Sequence, residues 1–210
     1  MNAQDASKTK VSCDIFAEFL EVSIHCILYN RGIYPSGVFE RRKKYNVPVQ
    51  MCLHPDVVSY ITKVTESVKV MVANGDVSMV TIVVLDPDNT PLERFVFELG
   101  KQGELDKNDQ YLFQLEDALR AFLLKLNVAD SLLKALPEDC SWVVHVHTRE
   151  STADKFIQTQ TVKDFSWMPA DEKQTKLRDA SLMPLKTTDN SLLKMQLYVE
   201  ESSVKPEALF

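Results

Sequence analysis

Val162-Lys-Asp-Phe-Ser-Trp-Met-Pro169 opens a stretch that closes on Leu193-Lys-Met-Gln-Leu-Tyr-Val-Glu200. The closing residues alternate as a strand does, with Met195, Leu197 and Val199 on one side and Gln196 and Tyr198 on the other. Between the two ends runs a charged, Pro-containing segment with no clear period. Irregular segments of this length are uncommon inside a compact domain and are usually functional where they occur. With strand-like ends and an exposed-looking Trp167, this one is built to close over something.

Upstream, Trp142-Val-Val-His-Val-His-Thr148 reads as a strand, and Phe156 to Val162 as another. A helix runs from about Gln110 to Val128, because Leu112, Leu115, Leu119, Phe122 and Leu126 recur at steps of three and four. Leu132 to Leu136 adds a further turn before Pro137. Val77 to Leu85 and Leu92 to Leu99 are β-rich runs flanking the turn Asp86-Pro-Asp-Asn89, an antiparallel hairpin. A second helix starts near Pro55, carries the stripe Val57, Ile61, Val64, Val68 and Met71, and stops at Asn74-Gly75. The first helix is expected from an N-cap at Ser12 to about Arg31, with Gly32 ending it. Ser36 to His54 reads as a polar, basic loop. Residues 1–11 and 202–210 read as disordered tails around a single domain over 12–201. Three main helices and about five strands, in no regular alternation, predict an α+β fold with helices on a mostly antiparallel sheet.

The chain has 210 residues and a formal net charge of −6, a balance that argues against a general nucleic-acid binder. Its one basic cluster, Arg41-Arg42-Lys43-Lys44, reads as a solvated loop. Cys13, Cys26, Cys52 and Cys140 are scattered with no C-x-x-C pair, as expected for buried thiols in a reducing compartment. Met1 to Lys10 lacks the apolar core of a signal peptide, and the apolar run Met79–Leu85 is too short to span a bilayer. A soluble, intracellular protein is expected.

No phosphate-binding glycine loop and no nucleophile elbow occur in the sequence. His145 and His147 share one face of their strand and could reach one metal, but a third ligand is missing; the plainer reading puts both on the solvent face with Val144 and Val146 toward the core. The expectation is no catalytic residue, no metal and no cofactor.

Several stretches resemble the HORMA-domain family: Glu18-Phe-Leu-Glu-Val22, Ile33-Tyr-Pro-Ser-Gly-Val-Phe39, Arg41 to Gln50, Phe95-Val-Phe-Glu98, Leu119-Arg-Ala-Phe122, Val146-His-Thr-Arg-Glu150, Val162–Trp167 and Lys194–Glu200. Within that family they are most similar to the accessory-subunit branch of translesion DNA polymerase zeta, a relative of the spindle-checkpoint HORMA protein. The resemblance implies a HORMA fold whose C-terminal "safety belt", here about residues 150–201, wraps a partner peptide that pairs with a strand edge. Release then requires the belt to open, which slows dissociation.

The resemblance further implies a non-catalytic adaptor in lesion bypass and the DNA damage response. Tyr60 and Trp167 match positions that hold a Pro-rich peptide of the polymerase zeta catalytic subunit, and aromatic faces suit proline rings. Leu182, Gln196 and Tyr198 match a second face, for the C-terminal domain of a Y-family polymerase scaffold. Arg120 matches a residue supporting a HORMA homodimer or heterodimer, while Gly32 stands where relatives carry an acidic residue of that interface. A nuclear location is implied, with the cytoplasm also open. The alternative is a spindle-checkpoint or meiotic-type HORMA adaptor that binds other closure-motif peptides.

Overall fold

The computed structural model describes residues 3–100, 110–148, 165–189 and 193–205. The chain runs α1 (Ala3–Asn30), a 3₁₀ turn (Ser36–Val38), β1 (Phe39–Lys44), β2 (Val47–Cys52), α2 (Pro55–Ala73), β3 (Val77–Leu85), β4 (Pro91–Leu99), α3 (Gln110–Ala129), a 3₁₀ turn (Asp130–Leu132), β5 (Ser141–Thr148), α4 (Glu172–Thr175), β6 (Ala180–Asp189) and β7 (Lys194–Ser202). β1 and β2 form a small hairpin of their own. The other strands form an antiparallel sheet in the order β5-β3-β4-β7-β6.

The strand registers fix what each face of the large sheet presents. Val144, Ile82, Phe95 and Val199 lie side by side across four strands, and all four are in the core. Against them pack the apolar stripes of α1, α2 and α3, including Phe16, Ile61, Val64, Leu119 and Phe122. Phe19 of α1 sits at the junction, with edge-on ring contacts to Phe97 at 6.2 Å, Phe122 at 5.8 Å and Tyr45 at 6.3 Å. It therefore touches the sheet, the third helix and the small hairpin at once. α1 ends where expected: Gly32 has φ +63°, and the paired bonds Ile33 N–H to Leu28 O and Gly32 N–H to Tyr29 O complete a Schellman stop.

Three expectations need correction. α1 begins at Ala3, so Ser12 lies inside the helix rather than capping it; the added turns are polar and give no periodic signal. The segment expected as a loop from Ser36 to His54 contains the β1–β2 hairpin. Its two-residue turn, Tyr45-Asn46, has φ +46° and +58°, the left-handed pair that matches strand twist. Most of β1 is exposed, so Arg41 to Lys44 show no alternation to read, and Arg42 and Lys44 pair with Glu40 and Glu18. The C-terminal tail is ordered at least through Lys205, which is buried. The strand expected over Phe156–Val162 lies outside the described residues.

Lys205 is buried by a charge network around Glu93, a fully buried carboxylate on the helix-facing side of β4. Arg31, at the end of α1, donates to Glu93 Oε1 at 2.6 Å and Oε2 at 2.9 Å, and also pairs with Asp130. Lys205 Nζ donates to the same carboxylate, to Lys134 O at 2.7 Å and to Glu201 at 3.0 Å. A buried charge stripped of its partners destabilises by about 3–5 kcal/mol. Glu93→Ala should cost that much, since it deprives two buried cations of their shared partner. Lys205→Met keeps the Arg31–Glu93 pair and should cost less. Equilibrium urea unfolding of the two variants checks the order; equal losses would contradict it.

Candidate functional site

β5 is an edge strand: β3 pairs with one side, and among the described residues no strand pairs with the other. A row of unmet backbone N–H and C=O groups is a template for an added strand. Beside this edge lies a cavity of about 500 Å³, lined by Val143–Thr148, by Tyr60 and Met71 of α2, and by residues 165–171 with Gln174 and Thr175. The chain after Phe165 thus begins against the helices and ends over the opposite sheet face, where α4 lies against β4.

An aromatic wall bounds the cavity. Tyr60 meets Trp142 edge-on at 5.2 Å and Phe165 at 5.9 Å, and Phe165 meets Trp167 at 4.9 Å. Such contacts add about 0.5–1.5 kcal/mol each beyond burial. Each indole is also fixed by its N–H: Trp142 Nε1 donates to Tyr34 Oη at 3.0 Å, and Trp167 Nε1 to Ser67 Oγ at 2.7 Å. Burial raises the pKa of the Tyr60 phenol, opposed by a backbone hydrogen bond at Val144. A wall of rings next to a strand edge that no described strand pairs can take an extended peptide, pairing its backbone and stacking its side chains.

Tyr60 and Trp167, singled out from the sequence, are brought together on this wall. Trp142 and Tyr34 were not foreseen, and neither was Phe165, although it lies two residues from Trp167 in the same motif. Nothing in the sequence marked Ser67.

The histidines depart from the solvent-face reading. Val144 does face the core, but His145 is 7% exposed and His147 is only partly exposed, since the chain crossing this face covers them. Their neighbours across the sheet, Thr81, Val83 and Val96, are fully buried too. Among the described residues, no third ligating side chain gathers with them. Burial lowers the His145 pKa from 6.5 to about 4, helped by His147 and Arg94; His147 is lowered by burial and by Arg94.

Leu182, Gln196 and Tyr198 fall on one face of β6–β7. Tyr198 lies opposite Pro184, and Leu182 opposite Glu200, two residues along from Tyr198. Leu182 is 56% exposed, while Met195, Leu197 and Val199 point into the core. Arg120 sits apart on α3, donating to Tyr45 O at 3.1 Å and pairing with Asp117 at 3.1 Å and Glu116 at 3.9 Å.

The family model described as HORMA domain matches residues 12–201. A Rattus norvegicus protein named "Mitotic spindle assembly checkpoint protein MAD2B" is 45% identical over 98% of both chains. An Arabidopsis thaliana "DNA polymerase zeta processivity subunit" is 35% identical over 97% of this chain and 92% of its own. The solved structure of C. elegans HTP-2 bound to a HIM-3 closure motif aligns with TM-score 0.72 at 11% identity, covering 92% of this chain and 91% of that one.

A depressed histidine pKa ties stability to pH. Between about 4 and 6.5 the unfolded chain binds a proton that buried His145 refuses, so its contribution is full above that window and is lost as pH falls through it. Thermal unfolding should shift to lower temperature from pH 7 to pH 5. His145→Leu should flatten that dependence; an unchanged slope would show that His145 does not contribute.

Proposed function

The chain belongs to the HORMA-domain family, and from that premise we propose that it is a non-catalytic adaptor joining two DNA polymerases during translesion synthesis. Under its belt it holds a Pro-rich peptide of the polymerase zeta catalytic subunit. With Leu182, Gln196 and Tyr198 it meets the C-terminal domain of a Y-family polymerase scaffold. It acts in the nucleus as part of the DNA damage response. Arg120 supports association with a second HORMA domain.

The observation that carries this reading is the β5 edge, unpaired by any strand among the described residues, beside the wall of Tyr60, Phe165 and Trp167. A peptide strand there gains backbone pairing from β5 and ring contacts from the wall. Proline fits both needs, because a polyproline segment is already extended and loses little entropy on docking. The polymerase zeta names of relatives point to the source of the peptide. The checkpoint names favour a second reading, in which the same groove takes other closure motifs with no preference for proline.

Calorimetric titration with a peptide panel separates the two. Pro-rich peptides should bind, and replacing their prolines by alanine should weaken binding; equal affinity across the panel supports the checkpoint reading. Tyr60→Ala and Trp167→Ala should each weaken the Pro-rich peptide at least tenfold (~1.4 kcal/mol), as expected of central aromatic anchors. Binding unchanged in the double variant would remove the proposed pocket. Tyr198→Ala should abolish scaffold binding and leave the peptide affinity as it was.

A further inference from the structure

α2 turns one face toward the belt. Tyr60, Val64, Ser67 and Met71 follow at steps of four, three and four, so they share that face. Tyr60 and Met71 line the cavity, and Val64 is fully buried in the core. Ser67 is fully buried as well and carries the one aliphatic hydroxyl in this row. A buried hydroxyl without a hydrogen-bond partner is destabilising, and so is a buried indole N–H. Thr65 answers that need within its own helix, donating to Ile61 O at 3.0 Å. Ser67 Oγ instead accepts the Trp167 indole N–H at 2.7 Å, from a residue one hundred positions later in the chain. Among the described residues, no other hydrogen bond joins residues 165–170 to α2.

We infer that Ser67 is a positioning residue for the peptide site: its hydroxyl latches the Trp167 indole to α2 and thereby holds the belt closed along β5. The inference rests on the reading that a peptide is held there. The latch bond exists only while the belt lies against α2, so lifting the belt breaks it. Its loss therefore speeds release more than it slows capture. Ser67 is buried beneath the ring and does not select the peptide. Residence time then depends on the Ser67–Trp167 pair, and peptide choice on the exposed faces of the rings.

The test uses the full chain and a surface-bound Pro-rich peptide of the kind described above. Ser67→Ala should raise the dissociation rate about tenfold, as expected for a buried donor left unpaired. Ser67→Cys keeps the size and a weak acceptor, and should fall between serine and alanine. The affinity ratio between the Pro-rich peptide and its alanine-substituted form should not change. In a Trp167→Phe background, which has no indole N–H at this position, Ser67→Ala should add nothing. A second readout needs no peptide. Indole N–H exchange followed by NMR should speed up in Ser67→Ala for the resonance that Trp167→Phe removes, and stay as in wild type for Trp142. Wild-type dissociation and exchange rates in Ser67→Ala, or an equal effect in the Trp167→Phe background, would overturn the latch. A wild-type chain that fails to hold the peptide at all would instead overturn the reading of the site, and the indole exchange would still report on the latch.

Discussion

Glu93 is the constraint from which the rest of the architecture follows. A fully buried carboxylate is tolerated only when its charge is matched, and here the match comes from both ends of the chain: Arg31 closing α1 and Lys205 following β7. The network holds the C-terminal strand pair onto β4. That placement dictates the path between β5 and β6. β5 lies at one edge of the sheet and β6 at the other, so the chain between them must cross four strand steps, roughly 19 Å at about 4.8 Å each. The belt is the geometric result of docking β7 beside β4 while β5 stays at the far edge.

Crossing the sheet creates the site and determines its chemistry. The segment passes the edge of β5 that no described strand pairs, so backbone hydrogen-bonding groups and a chain able to cover them lie together. It also turns the outer sheet face into a second interior, which is why Thr81 and Val96 are as buried as residues of the helix-packed core. His145 is carried into that interior and stays neutral near pH 7, since burial disfavours its charged form. His25 is held neutral in the same way on the helix side, where its Nδ1 accepts the Cys52 N–H at 3.1 Å. Both faces of the sheet therefore lose stability on acidification.

The sequence disclosed what period and composition can disclose. The stripe of α2, the β3–β4 hairpin and the alternation of β7 each bury one side against water, and a single buried side leaves a readable pattern. The β1–β2 hairpin hid because Glu40 to Lys43 are exposed, so nothing alternates, and its turn uses Tyr-Asn without glycine. Lys205 read as tail because a lysine near a terminus is nearly always solvated; only the three-dimensional position of Glu93 makes it an anchor. Tyr60, and the peptide-binding role of Trp167, came from resemblance to a family, not from pattern. The ring between them, Phe165, and the hydroxyl behind them, Ser67, belong to contacts between residues far apart in sequence, and no local signal encodes those.

The two ends of the belt are held with very different strength. Between Phe165 and Lys176 no residue is fully buried, and attachment to α2 comes down to the Tyr60–Phe165–Trp167 rings and one hydrogen bond to Ser67. The β6–β7 end buries Met195, Leu197 and Val199, pairs with β4 along its length and is locked by Lys205. Segments with few buried contacts open at a fraction of the global unfolding free energy, whereas strands paired in the core open only with it. The stretch over β5 can therefore lift while the β6–β7 face keeps its shape. On the proposed function, release or capture of a peptide beneath the belt would leave the face that carries Leu182, Gln196 and Tyr198 in place, so the two contacts would be made independently.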